Sequence, residues 1–316
     1  MNSFDPHLVY IVSGLFGVLV FASIVGGVLR LTVRSESGQV TIRNVNARIQ
    51  SWWIMCIVFV AATLCGRVGS TILFALMSFL ALREYIALTP TRRADHRPLF
   101  WAFAVILPVQ YYLVYLGTWY GMFAIFIPVY AFIFLPIRQL MADDYEDFLT
   151  RTAKIQWGLM VCVYFVSHTP ALLSLELRGF EGHPAALLFF LTTVVESSDV
   201  TQYVWGKTLG RRKVAPNVSP NKTVVGLIGG VLTASAIGAA LWWATPFSPL
   251  AAFGISLAIT VTGFFGGLTM SAIKRDSGVK DYGTLIRGHG GMMDRIDSIC
   301  FAAPIFFHLV RYFYTE

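Results

Sequence analysis

The stretch SAIKRDSGVKDYGTLIRGHGGMMDRIDS, from Ser271 to Ser298, lies between two apolar windows near 248–270 and 299–314. A helix needs about 20 predominantly apolar residues to cross a hydrocarbon core, so these windows read as membrane spans and the stretch as a polar island between them. Five cations (Lys274, Arg275, Lys280, Arg287 and Arg295) alternate there with four carboxylates (Asp276, Asp281, Asp294 and Asp297) and five glycines. Carboxylates hold hard divalent cations through oxygen. Lys and Arg hold phosphate oxygens, and glycine lets backbone N–H groups approach an anion closely. Those are the parts of a site that handles a nucleotide.

The rest of the chain reads the same way. It has 316 residues, of which 56% are hydrophobic and 13% charged, with a mean hydropathy of +0.66. That composition excludes a soluble domain of this size. Further apolar windows lie near 8–30, 51–66, 68–89, 99–117, 120–137, 154–175, 184–205 and 223–244. The expected fold is an all-α polytopic integral membrane bundle of about ten transmembrane helices. The first apolar run has no positive leader and is longer than a signal-peptide core, so it is expected to be a retained span.

Charge gives the orientation. Twenty of the 24 Lys and Arg residues fall in one alternating set of loops: Arg30 to Arg48, Arg92 to Arg97, Arg138 to Lys154, Lys207 to Lys222 and Lys274 to Arg295. Arg67, Arg178 and Arg311 fall on the other side, and Arg83 within a span. Cytoplasmic loops retain Lys and Arg, so the rich loops and their polar stretches are expected in the cytoplasm. The net charge of +7 is then a topology and headgroup signal rather than a sign of nucleic-acid binding. Cys56, Cys65, Cys162 and Cys300 show neither disulfide nor zinc spacing and read as packing residues.

Other polar residues read as structural. Residues 31–50 are expected to be a polar connector, Arg83 and Glu84 an ion pair, Asp143 to Asp147 a solvated helix start, and His168 a hydrogen-bonded core histidine. Glycines at 226–230 and 263–267 suit close helix packing. Glu196 and Asp199 share a helical face and each would cost roughly 2.5–3.5 kcal/mol as a lone charge in mid-membrane, so both need partners. Ser219 or Thr223 is placed to cap the helix that follows, with Lys222 aimed at an anion. No Walker A motif is present.

The spacing Ser271, Lys274-Arg275, Lys280-Asp281, His289-Gly290-Gly291, Asp294-Arg295, Asp297 resembles the signature of the phosphatidate cytidylyltransferase (CDP-diacylglycerol synthase) family. A second element matches upstream: Asp199, Tyr203, Gly206, Gly210, Pro216, Ser219-Pro220 and Lys222 to Gly226. The two cover about the C-terminal third. The resemblance implies transfer of CMP from CTP to phosphatidic acid, releasing pyrophosphate and giving CDP-diacylglycerol for phospholipid biosynthesis. It implies Mg²⁺ or Mn²⁺, with a second cation, held by Asp199, Asp281, Asp294 and Asp297. Lys222, Ser271, Lys274, Arg275, Lys280, His289 and Arg295 are the implied catalytic set, with Ser219, Lys222, Lys274 and Arg275 at the nucleotide. CTP, phosphatidic acid and membrane lipids are the implied partners, a homodimer the implied assembly, and the bacterial inner membrane, site facing the cytoplasm, the implied location. Residues 1–153 are expected to form an N-terminal set of transmembrane helices and 154–316 the catalytic region, with motifs at 199–226 and 271–298.

Two positions depart from the family. Gly267 stands where the family usually has an aspartate, four residues before Ser271, and Val225 where it has a glutamate after Lys222-Thr223. Three readings therefore stand: a cytidylyltransferase, a weakened relative that binds lipid or nucleotide, and a transporter. Glu196 and Asp297 are the acids placed to compensate. The transporter reading is the weakest, because the hydropathy shows no inverted repeat.

Overall fold

The computed structural model describes residues 6–33, 35–180, 183–285 and 290–315. Its helices are α1 (Pro6–Thr32), α2 (Glu36–Leu64), α3 (Gly66–Ala87), α4 (Arg93–Leu116), α5 (Tyr120–Leu140) and α6 (Phe148–Ser174) in the first part. After them come α7 (Pro184–Thr208), α8 (Val224–Ala240), α9 (Pro249–Asp276) and α10 (Met293–Tyr314). Eight of these are long and apolar enough to cross a membrane. The other two fill the remaining expected windows: α7 carries Glu196, Asp199 and Lys207, and α8 is only 17 residues long. The chain is an integral membrane protein with an all-helical bundle.

The polar connector expected over 31–50 is instead helical from Glu36 onward. Its polar residues serve the packing of α1 on α2: Asn46 donates to the Gly26 carbonyl and Gln39 to that of Arg30. A second departure is a small antiparallel hairpin, β1 (Lys213–Ala215) and β2 (Ser219–Thr223). Pro216 and Asn217 form its turn. Two strands this short leave little hydropathic alternation to read.

The core lies where α3, α6, α7 and α10 meet, around Val161, Cys162, Leu187, Leu191, Val194, Ala303 and Phe306. Two thirds of the apolar window of α6 is buried (67%) against 6% for α1, so α6 is central and α1 faces the surroundings. The division expected at residue 153 falls inside the continuous α6, and one core draws on both halves. Widened π turns at Ala102–Ile106, Phe126–Ala131 and Met160–Phe165 interrupt α4, α5 and α6. Pro108, Pro128 and Pro170 sit within or just after them. A proline supplies no N–H and crowds the carbonyl four residues back, and a wider turn relieves both.

At the end of the bundle rich in cations, a buried network ties α4, α5 and α6 together. Arg151 pairs with Asp95 at 3.2 Å, and the Gln139 amide donates to the same carboxylate at 2.6 Å. The acidic residues before α6 are a loop rather than a helix start, with Asp143 and Asp147 at φ +53° and +51°. Arg151 donates to Asp144 at 2.8 Å, and Arg92 pairs with Glu146. The four cysteines are free thiols, and His168 is fully buried with its Nδ1 2.8 Å from the Tyr164 carbonyl.

Candidate active site

Four helices converge on the site, each next to its neighbour: α7 on α8, α8 on α9, α9 on α10. Glycines set the spacing. A Cβ at Gly226 would lie 2.8 Å from the Gln202 carbonyl oxygen, and one at Gly230 2.7 Å from its Cα, so α8 rests directly on the backbone of α7. A Cβ at Gly266 would come within 2.6 Å of Phe301, which brings α9 equally close to α10. Small residues of this kind let helices pack where lipid offers no hydrophobic drive.

The hairpin delivers Lys222 to the mouth of this group. Thr223, the next residue, caps α8: its hydroxyl accepts from the Gly226 N–H at 3.0 Å. Of the two capping candidates, Thr223 takes the role, while Ser219 lies at the start of β2. From the end of β2 the Lys222 side chain runs inward to α9. Its Nζ approaches the Phe264 carbonyl at 3.4 Å and lies over the Phe264 ring at 4.8 Å. Burial pushes this ammonium below its ordinary pKa, and the negative charges of Asp297 and Asp199 oppose that shift.

The deeper part of the site is acidic. Asp199 and Glu196 of α7 interact electrostatically with Asp297 and Arg295 of α10, and Ser298 hydrogen-bonds Asp199. The Arg295 Nε is buried with no hydrogen-bond partner among the described residues. Lys222, Lys274 and Arg295 all surround Asp297.

Nearer the mouth, Lys274 donates to Asp294 at 2.8 Å, with only 12% and 6% of the two side chains exposed. The other Asp294 oxygen accepts two backbone N–H groups, those of Tyr282 and Gly291, each at 2.9 Å. Gly290 adopts φ +82°, which favours glycine at that turn. The Glu84 carboxylate, expected to pair with Arg83, instead accepts the N–H groups of Met292 and Met293 at 2.9 Å and so closes the N-terminus of α10. A Cβ on Gly291 would fall 2.3 Å from Glu84. Neighbouring Arg-Glu in a sequence suggests a pair, and only the fold shows the helix end facing Glu84.

The remaining expected residues are more peripheral. The Ser271 hydroxyl donates within its own helix to the Gly267 carbonyl at 2.7 Å. Arg275 is exposed and reaches the carbonyls of Val218 and Val279, joining the hairpin to the end of α9. Lys280 and Asp281 are exposed on the following loop. His289 lies outside the described residues. On the opposite face of α9 is a cavity of about 560 Å³ between α3, α6 and α9, lined by Tyr85, Lys154, Trp157, Ile273 and Tyr282 among others. Tyr282 is the shared wall, since Lys274 also lies 5.4 Å from its ring centre.

A model of the cytidylyltransferase family matches residues 46–313. The chain belongs to this family. A phosphatidate cytidylyltransferase of Bacillus subtilis is 30% identical over 282 residues, covering 85% of this chain and 99% of that protein. One from Synechocystis is 38% identical over 155 residues, 45% of this chain and 52% of the other. The uncharacterized protein YnbB of Escherichia coli is 42% identical over 305 residues, 94% and 96% of the two chains. Family membership makes the chain a membrane-embedded nucleotidyltransferase by kind.

The family's divalent cation can be tested against the donors present. Among the described residues no three His, Cys, Asp or Glu side chains converge on a common point. Asp294 already has three donors on its two oxygens, Asp281 is exposed, and position 267 has no side chain. Asp297 of α10 and Asp199 of α7 are the acids left beside Lys222, with Glu196 interacting electrostatically with both. These residues do not fit a carboxylate cradle for two cations. They suit one ion whose other oxygens come from a phosphate. The second family departure costs the site little, because Val225 is exposed on the first turn of α8.

Proposed function

We propose that this chain is a phosphatidate cytidylyltransferase, joining CTP and phosphatidic acid to give CDP-diacylglycerol and pyrophosphate. The observation that carries the reading is the pair of ammonium groups, Lys222 and Lys274, set around Asp297 where the helices open at the cation-rich end. A phosphate oxygen of phosphatidate attacks the α-phosphorus of CTP, a new P–O bond forms, and the bond to the β-phosphate breaks with pyrophosphate leaving. The attacking phosphate is already ionised, so no strong base is required. Two polyanions must instead be held together and the in-line transition state stabilised, which is work for fixed cations.

In this reading Lys222 and the half-buried Arg295 face the phosphates. Lys274, held by Asp294, stands beside them, and the same carboxylate ties down the backbone at Tyr282 and Gly291. Mg²⁺ arriving with CTP would be received by Asp297 and Asp199, and supplies further charge neutralisation on the triphosphate. The cavity beside Tyr282 offers the lipid an approach from the bilayer, with Lys154 at headgroup level and Trp157 below it. In the same reading the cation-rich end faces the cytoplasm from a bacterial inner membrane, on the side where CTP is found.

The test is transfer from labelled CTP to phosphatidic acid in detergent micelles over a Mg²⁺ and Mn²⁺ series. Metal-dependent CDP-diacylglycerol formation is the expected result. CTP or phosphatidate binding with no product at any metal concentration would favour the second reading, a relative that binds without turning over, for which Gly267 is the specific observation.

A further inference from the structure

Lys222 occupies space that a side chain at position 267 would need. Its Nζ is 2.9 Å from the point where a Gly267 Cβ would stand, and Asp297 Oδ2 is 3.8 Å from the same point. The Phe264 carbonyl at 3.4 Å and ring at 4.8 Å receive the Nζ, while the next residue, Thr223, is anchored as the α8 cap. Its charge partners are the two inward carboxylates, Asp297 and Asp199. Lys274, the second ammonium nearby, is bound to Asp294. The carboxylates that a resident ion would use thus already face a fixed positive charge. A divalent cation entering alone would meet that charge at close range in a partly desolvated cleft, and it would find too few oxygens to replace its hydration.

We propose that Lys222 is a built-in cation standing in for a resident metal ion, so that without nucleotide the vestibule binds no divalent cation and accepts one only with a triphosphate that brings the missing oxygens. The inference rests on the cytidylyltransferase reading for its nucleotide, but its metal arm stands apart from turnover. Gly267 is the permissive element, since a Cβ there would stand 2.9 Å from the Lys222 Nζ and the ammonium would have to move from its present position.

Mn²⁺ binding to the full-length protein in detergent, followed by electron paramagnetic resonance without CTP or lipid, tests this. Wild type and Lys222→Arg are expected to show no saturable site. Lys222→Met removes the charge but keeps an apolar stem, and is expected to gain one site with affinity raised about tenfold or more, as befits loss of a unit charge at short range. Lys222→Met combined with Asp297→Asn is expected to lose that site again. With CTP added, one Mn²⁺ per wild-type chain is expected with the bound nucleotide. Saturable Mn²⁺ binding to wild type without nucleotide, two ions per chain with CTP, or no gain in a folded Lys222→Met would each overturn the proposal. Should Lys222→Met not fold, Lys222→Gln takes its place, and the wild-type arm still decides. Failure of transfer with these Mn²⁺ results intact would count against the proposed function and leave the built-in cation standing.

Discussion

Three donors converge on the two oxygens of Asp294, and this decides what the residue does. It joins α9, through Lys274, to the backbone of the loop at Tyr282 and Gly291. Asp294→Asn keeps the shape and removes the charge, leaving Lys274 buried without its counterion. Breaking one side of a buried pair costs about 3–5 kcal/mol, and misplacing a fixed cation at a phosphate site costs on the order of a hundredfold in rate. A lower melting temperature and loss of transfer are expected together. Near wild-type turnover would remove Asp294 and Lys274 from the machinery. A second carboxylate, Asp144, is a matter of pH. The hydrogen bond from Arg151 holds its carboxyl below the usual range, against a smaller effect of burial. A depressed carboxylate stabilises the fold fully above its unfolded pKa of about 3.9 and loses that contribution as pH falls through the lower folded value. Asp144→Asn should therefore lower the melting temperature at pH 7 and matter progressively less below about pH 4. An equal difference at both pH values would mean that its charge contributes nothing. The types of these residues and their spacing were readable in the chain. That Asp294 is saturated with donors was not, because backbone N–H groups carry no mark in a sequence.

Among the elements, α10 depends most on a partner far away in the chain. Its first N–H groups would otherwise be orphans, and Glu84, two hundred residues earlier, accepts those at Met292 and Met293. A carboxylate at a helix N-terminus also meets the positive end of the dipole. Glu84→Gln is expected to destabilise by about 1–2 kcal/mol, and Glu84→Ala by more, read as melting temperature in detergent. Proteolysis within 277–292 should speed up in both variants. Unchanged melting and unchanged cleavage would show that α10 starts without Glu84. The α7–α8 pair shows a different dependence, because Gly226 and Gly230 have no room for a side chain against Gln202. Their spacing four apart in an apolar run did predict close packing. The hairpin between those two helices was hidden, since five strand residues ending in a helix cap look like any polar loop.

At the scale of the molecule, the successive helices bring four of the five cation-rich connections to one end, as contacts between distant segments attest: Arg92 with Glu146, Arg275 with Val218, Glu84 with Met293. Positive-inside bias then predicts which end faces the cytoplasm. Cys65 is the exposed native thiol, at the turn between α2 and α3. In intact cells an impermeant maleimide should label it from outside. In a Cys65→Ser background, Ser277→Cys, just past α9, should label only after permeabilisation. The reverse pattern would invert the topology and remove the site from cytoplasmic CTP. Hydrophobic windows, cation alternation and motif spacing by themselves determined that this is a helical membrane protein, where its spans run and what chemistry its polar stretches suit. Those properties follow from composition and period, which are local. Only tertiary structure decided which carboxylates gather around Lys222, which are spent on holding loops, and that the Lys222 ammonium stands beside Gly267. These depend on side chains and backbone groups from four helices meeting in a cleft, and no short-range pattern in the chain records such a meeting.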